Sequence, residues 1–165
     1  MQRTGQIGLV HTDRGFGGLL VQWATRSYWC HTVIAVSETH CLSAEPGGAV
    51  VRPITDYADR IIWSRFDLTI PQRYLITRWA RDHLGVEYNW GDFIAAGLAS
   101  LTGRATPMWL RRIVATRDRM ICSQMSDLAL QAGAIHLFHD RRPIGAVTPA
   151  DFGRYFVAQG WTDKL

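Results

Sequence analysis

Cysteine is scarce in this chain of 165 residues, which holds only Cys30, Cys41 and Cys122. An odd number of thiols in a chain this long argues against a disulfide scaffold and leaves at least one thiol free. No CxxC pair occurs, so a finger-type zinc site has no support. His11, His40, His83, His136 and His139 show no metal-ligand spacing; His136 and His139 are three apart, but no acid–histidine pattern accompanies them. Neither a metal nor a cofactor is expected. Long apolar runs are also missing, and none approaches the roughly 20 residues that span a bilayer. The opening MQRTGQIGLVHTDRG lacks the apolar stretch of a secretory signal. Repeats, low-complexity tracts and Pro/Gly/Ser-rich linkers are absent as well. The expectation is one domain over residues 1–165, cytoplasmic in location.

What is present suits a folded core. Apolar residues make up 47% of the chain, charged residues only 19%, and mean hydropathy is −0.05, so extensive disorder is excluded. Net charge is +4 and the isoelectric point about 9.3. Much of the excess falls in residues 97–119, where Arg104, Arg111, Arg112, Arg117 and Arg119 face a single acid, Asp118. A solvated basic helix accounts for this; a phosphate-contacting surface or partner site is the sharper reading. No nucleic-acid-binding motif accompanies the charge, and no nucleic-acid partner is expected. The apolar and basic ATPMWLRRIV, residues 105–114, could serve at a membrane surface.

The pattern runs from strands to helices. Gly5–Val10 reads as a strand, Gly15–Gly18 as a glycine-rich turn and Leu19–Thr25 as a short helix or turn. His31–Val36 (HTVIAV) is β-branched and apolar, the strongest strand signal in the chain. Ser37–Thr39 turns it back into Cys41–Glu45; Pro46-Gly47-Gly48 makes the next turn, with strands at Ala49–Arg52 and Ile61–Leu68. Beyond Pro71 the period becomes helical. Leu75, Trp79 and His83 share a face beside Ile76, Ala80 and Leu84, and Gly85 suits the C-terminal cap. Phe93–Leu101 reads as helix. Cys122, Met125, Leu128, Ala129 and Ala132 recur at helical spacing up to Gly133. Thr148-Pro149-Ala150-Asp151 has the form of a capped helix start. The class is α+β.

Nucleophilic chemistry needs a thiolate, a base and a group that orients the base. Cys122 falls at a predicted helix N-terminus, which favours an anion. Cys30 and Cys41 lie inside predicted strands, where cysteine behaves as a small buried hydrophobe. His31 opens one strand and Glu45 closes the next. A hairpin brings the two together at its open end, where a carboxylate can fix the imidazole tautomer. Taken singly, His31 is an ordinary structural histidine and Glu45 an ordinary acid before a turn.

Six segments, in order, resemble one family: GQIGLV, WCHTVIAVS, LSAEPGGAVVRPITDY, LGVEYNW, ICSQMSDLALQAG and VTPADF. Together they are similar to the permuted papain-like cysteine hydrolases of the NlpC superfamily, in the YiiX/YebB-like group. The resemblance implies a small antiparallel sheet packed against helices that include the nucleophile helix. It implies Cys122 as nucleophile, His31 as general base and Glu45 as the orienting acid, in an order permuted relative to papain. The implied reaction is amide cleavage through a thioester acyl-enzyme. The implied substrates are amides, such as peptidoglycan stem peptides or small amide conjugates. Lipid acyl transfer or thioester hydrolysis on the same fold, and a non-catalytic binding module, are the alternatives.

Overall fold

The run HTVIAV lies at the centre of a five-stranded antiparallel sheet. In the computed structural model, which describes residues 2–11, 27–45, 47–86, 122–138 and 147–165, the strands are β1 (Ile7–His11), β2 (Trp29–Ala35), β3 (His40–Glu45), β4 (Gly48–Pro53) and β5 (Ile61–Trp63), in the spatial order β4-β3-β2-β1-β5. Strand β2 is flanked on both sides and covered on both faces. Every residue of it but His31 is buried, which explains why the segment reads as continuously apolar.

The β2–β3 hairpin is tied at its closed end by Ser37, whose hydroxyl accepts from the Thr39 and His40 amides. Its register pairs Val33 with Ser43, Ile34 with Leu42 and Ala35 with Cys41. Glu45 pairs with Gly48 across a two-residue turn in which Gly47 takes a φ of 97°. On the other side of β2 the ladder with β1 is irregular. Val10 pairs with His31 but His11 with Trp29, so β2 carries one extra residue, Cys30. The side-chain alternation breaks at this bulge. Trp29 and, beyond the break, Thr32 and Ile34 all face the helices.

Three helices are described: α1 (Ile70–Asp82), α2 (Cys122–Ala132) and α3 (Pro149–Ala158). Helix α3 begins as its sequence suggests. Thr148 and Asp151 form a reciprocal capping box with Pro149 in the first turn. Helix α1 is capped likewise by Thr69 and Gln72, with Pro71 in the first turn. Gly85 lies past the helix end at a φ of 77°, where its amide donates to Ala49 O on β4.

Between sheet and helices lies the main core, built on Ile7, Leu9, Trp29, Ile34, Leu42, Ile76, Leu130, Phe152 and Phe156. The opposite face carries a smaller cluster of Val10, Val33, Cys41 and Ile54, flanked by Tyr57, Ile61 and Trp63.

Two expectations are corrected. The strand expected over Ile61–Leu68 stops at Trp63: the Ser64 amide still donates to Ile7 O, but from there side chains take over the ladder's bonds. Ser64 Oγ accepts from the Ile7 amide at 2.9 Å, and the buried Gln6 amide group bonds Ser64 Oγ, Phe66 N and Phe66 O. On α1 the expected Ile76 and Ala80 are buried, with Thr77, and Trp79 packs against the core, whereas Leu75 and, just past the helix, Leu84 are exposed. The expected turn at 15–18, the helices at 19–25 and 93–101 and the basic segment 97–119 fall outside the described residues. Among the described residues no helix is long and apolar enough to cross a membrane.

Candidate active site

Cys122 is the first residue of α2, buried, and stands in a small pocket with Thr32, Ile34, Leu42, Ala44, Met125 and Ser126. Its placement follows from the helix pattern. Cys122, Met125, Ala129 and Leu130 turn toward the sheet and join the core. Two buried hydroxyls pin the first turns. Ser123 Oγ donates to Val147 O at 2.6 Å, and Ser126 Oγ donates to Thr32 Oγ1 at 2.9 Å. Ser126 thus fastens the helix to the residue that follows His31 in β2.

His31 follows the bulge, in register with Val10. Its Nε2 lies 2.9 Å from Ser43 Oγ, and Tyr57 donates its phenolic proton to the same oxygen at 2.8 Å. The Tyr57 ring lies beside the imidazole, with centroids 6.5 Å apart and planes inclined by 30°. Ser43 alternates along β3 with Leu42 and Ala44, which line the Cys122 pocket. The Nε2 end of the ring is therefore engaged on the face away from α2, while the thiol lies on the α2 face. Thr32, the neighbour of His31, forms part of the thiol's wall.

Glu45 is placed at the open end of the hairpin, as expected. Continuing the Val33–Ser43 register by two residues sets it opposite His31. Its two carboxylate oxygens, however, accept a two-point contact from Arg52 of β4, at 2.9 Å from Nε and 2.6 Å from NH2. This contact holds the Glu45 carboxyl below the usual carboxylate range against the opposing effect of burial, with the Ser43 hydroxyl and the His31 ring acting in the same direction as Arg52. Ser43, not Glu45, is thus the group on His31 Nε2, while Glu45 acts on the ring through space. Sequence reading missed Ser43, Tyr57 and Arg52. Ser43 shares the strand face of Glu45 and is the diagonal neighbour of His31 in the hairpin, a relation that appears once the register is fixed.

The other two thiols are buried within the sheet and bonded to backbone carbonyls. Cys30 Sγ donates to Val10 O at 3.5 Å and Cys41 Sγ to Arg52 O at 3.6 Å. Burial pushes the Cys41 thiol up to about 12, with Asp56 and Glu45 adding to the rise. Among the described residues no group of three or more His, Cys, Asp or Glu side chains could hold a metal ion. In comparison with known proteins, the chain matches no family model and no curated protein.

Proposed function

We propose that this chain is a cysteine hydrolase with the permuted papain-like fold, in which Cys122 attacks an amide carbonyl and His31 is the base. One observation carries the reading. The Cys122 thiol opens a helix packed on the strand that presents, just after its bulge, an imidazole held by a buried hydroxyl. A helix N-terminus favours the thiolate. His31 accepts the thiol proton at Nδ1, the ring nitrogen not engaged by Ser43 Oγ. The sulfur bonds to the carbonyl carbon, and the imidazolium returns the proton to the amine as the C–N bond breaks. Water, deprotonated by the same imidazole, then cleaves the thioester and releases the acid, regenerating the thiol. The reading draws its substrate class, amides such as peptidoglycan stem peptides or small amide conjugates, from the family resemblance.

The test is alkylation by iodoacetamide near neutral pH, followed by mass spectrometry of each cysteine. Cys122 is expected to react first. Equal or faster labelling of Cys30 or Cys41 would overturn the assignment. With amide and thioester acyl probes of matched acyl group, an adduct on Cys122 from the amide supports hydrolysis of amides; an adduct from the thioester alone replaces it with thioesterase chemistry. His31→Ala should lower turnover by about 10²- to 10⁴-fold, the usual contribution of a general base.

A further inference from the structure

We infer that the group positioning the His31 ring is the Ser43 hydroxyl, backed by Tyr57, and that Glu45 serves as the partner of Arg52. The inference rests on His31 being the base of the reaction above.

Ser43 is 1% exposed, and its hydroxyl has one proton and two lone pairs to satisfy. Tyr57 donates into one lone pair, which fixes the oxygen from below. The imidazole contact takes a second position. A carboxylate in place of Ser43 would accept from Nε2–H and would also stabilise the imidazolium by charge. Ser43 gives the first without the second. With the proton on Nε2, its oxygen accepts from the ring both before and after Nδ1 takes up the thiol proton. The contact survives the whole proton cycle and fixes Nδ1 as the basic nitrogen. Glu45 is a poorer candidate for this work. Its side chain is 26% exposed, both oxygens accept from the planar fork of Arg52, and it meets the Ser43 hydroxyl, so it lies behind Ser43 relative to the ring. The charged and titratable groups described on this face of the sheet are Cys41 and Glu45 from β3, Arg52 from β4, and Asp56 and Tyr57 from the turn after β4, with Cys30 preceding the ring in β2. Facing it from β1 is the apolar Val10.

The experiment reads the ring itself. Imidazole ¹⁵N shifts of His31 are followed across pH in the parent protein and in Ser43→Ala, Ser43→Thr, Ser43→Asp, Tyr57→Phe and Glu45→Gln, alongside the pH profile of Cys122 alkylation by iodoacetamide. Ser43→Ala should change the tautomer balance of the ring and slow alkylation roughly three- to tenfold, the weight of one neutral hydrogen bond. Ser43→Thr should restore both. Tyr57→Phe should give a smaller change in the same direction. Ser43→Asp, by placing a negative charge on Nε2, should raise the pH at which the ring titrates. Glu45→Gln, which removes a charge that acts on the ring through space and on the Ser43 hydroxyl, should move the ring signals less than Ser43→Ala does. The inference is overturned if Glu45→Gln moves the ring signals more than Ser43→Ala does, or if Ser43→Ala leaves them unmoved. Should Ser43→Ala fail to fold, Ser43→Thr and Tyr57→Phe decide the matter by the same signals. Ring signals that follow Ser43 while alkylation ignores the titration of His31 would uphold the positioning and overturn the cysteine–histidine reading, so the two fail separately.

Discussion

The carboxylates of Glu45 and Glu38 are each held in their charged form by hydrogen bonds, at Glu45 by Arg52 and at Glu38 chiefly by the Thr4 hydroxyl with the Arg3 and Thr4 amides. Both titrate lower in the folded chain than in the unfolded one, where a glutamate titrates near about 4.3. The stabilisation they give is complete above that value and is lost as pH falls through the folded value, since the unfolded chain binds more protons there. Glu45→Gln should therefore lower Tm slightly on the neutral plateau and converge with the parent in acid, so that the fall in Tm towards acid is shallower. The effect should be small, because the Arg52 side chain is 47% exposed and water screens the pair. Melting curves taken from neutral pH into acid test this. Curves that coincide at neutral pH as well as in acid would mean that the ion pair contributes nothing.

At the level of elements, the closest packing is between Trp29 of β2 and Gly153 of α3. The indole edge lies where a Cβ at Gly153 would sit, with Nε1 only 2.8 Å from that position, and Nε1 also donates to Lys164 O at 3.0 Å. Gly153→Ala must push strand and helix apart, at about 1–3 kcal/mol. A drop of several degrees in Tm is expected; Arg154→Ala, one residue along and outside this contact, is the comparison. An unchanged Tm in Gly153→Ala would show that Trp29 can turn away. This contact was not legible in the sequence, which marks Gly153 only as a glycine inside a helix. The start of the same helix was legible, because Thr148, Pro149 and Asp151 act on backbone groups within one turn. The over-long reading of β5 has the opposite cause. Its end is set by Gln6, 58 residues away from Ser64, and no local pattern records such a bond.

For the molecule as a whole, the α+β class and the antiparallel hairpins followed from apolar runs and turns that need only near neighbours. The strand order did not, since β1 enters between β2 and β5 although β5 follows β4 in sequence. The candidate site divides in the same way. Cys122 and Glu45 stand at element ends and could be picked out there, whereas His31, expected to open its strand, is the third residue of β2, which starts at Trp29. The hold of Ser43 and Tyr57 on the imidazole comes from cross-strand register and from the turn after β4. The bulge in β2 is equally non-local, and it gives Cys30 a role independent of sulfur. Cys30 is a spacer. It sets the phase between the stretch ending in Trp29, which must reach α3, and the stretch beginning at His31, which must reach Ser43. Chain length at this point matters more than chemistry. Cys30→Ala should leave fold and Cys122 reactivity nearly intact. Removing the residue altogether would put Trp29 and His31 out of phase, so that only one of the two could keep its place, whatever amino acids surround them.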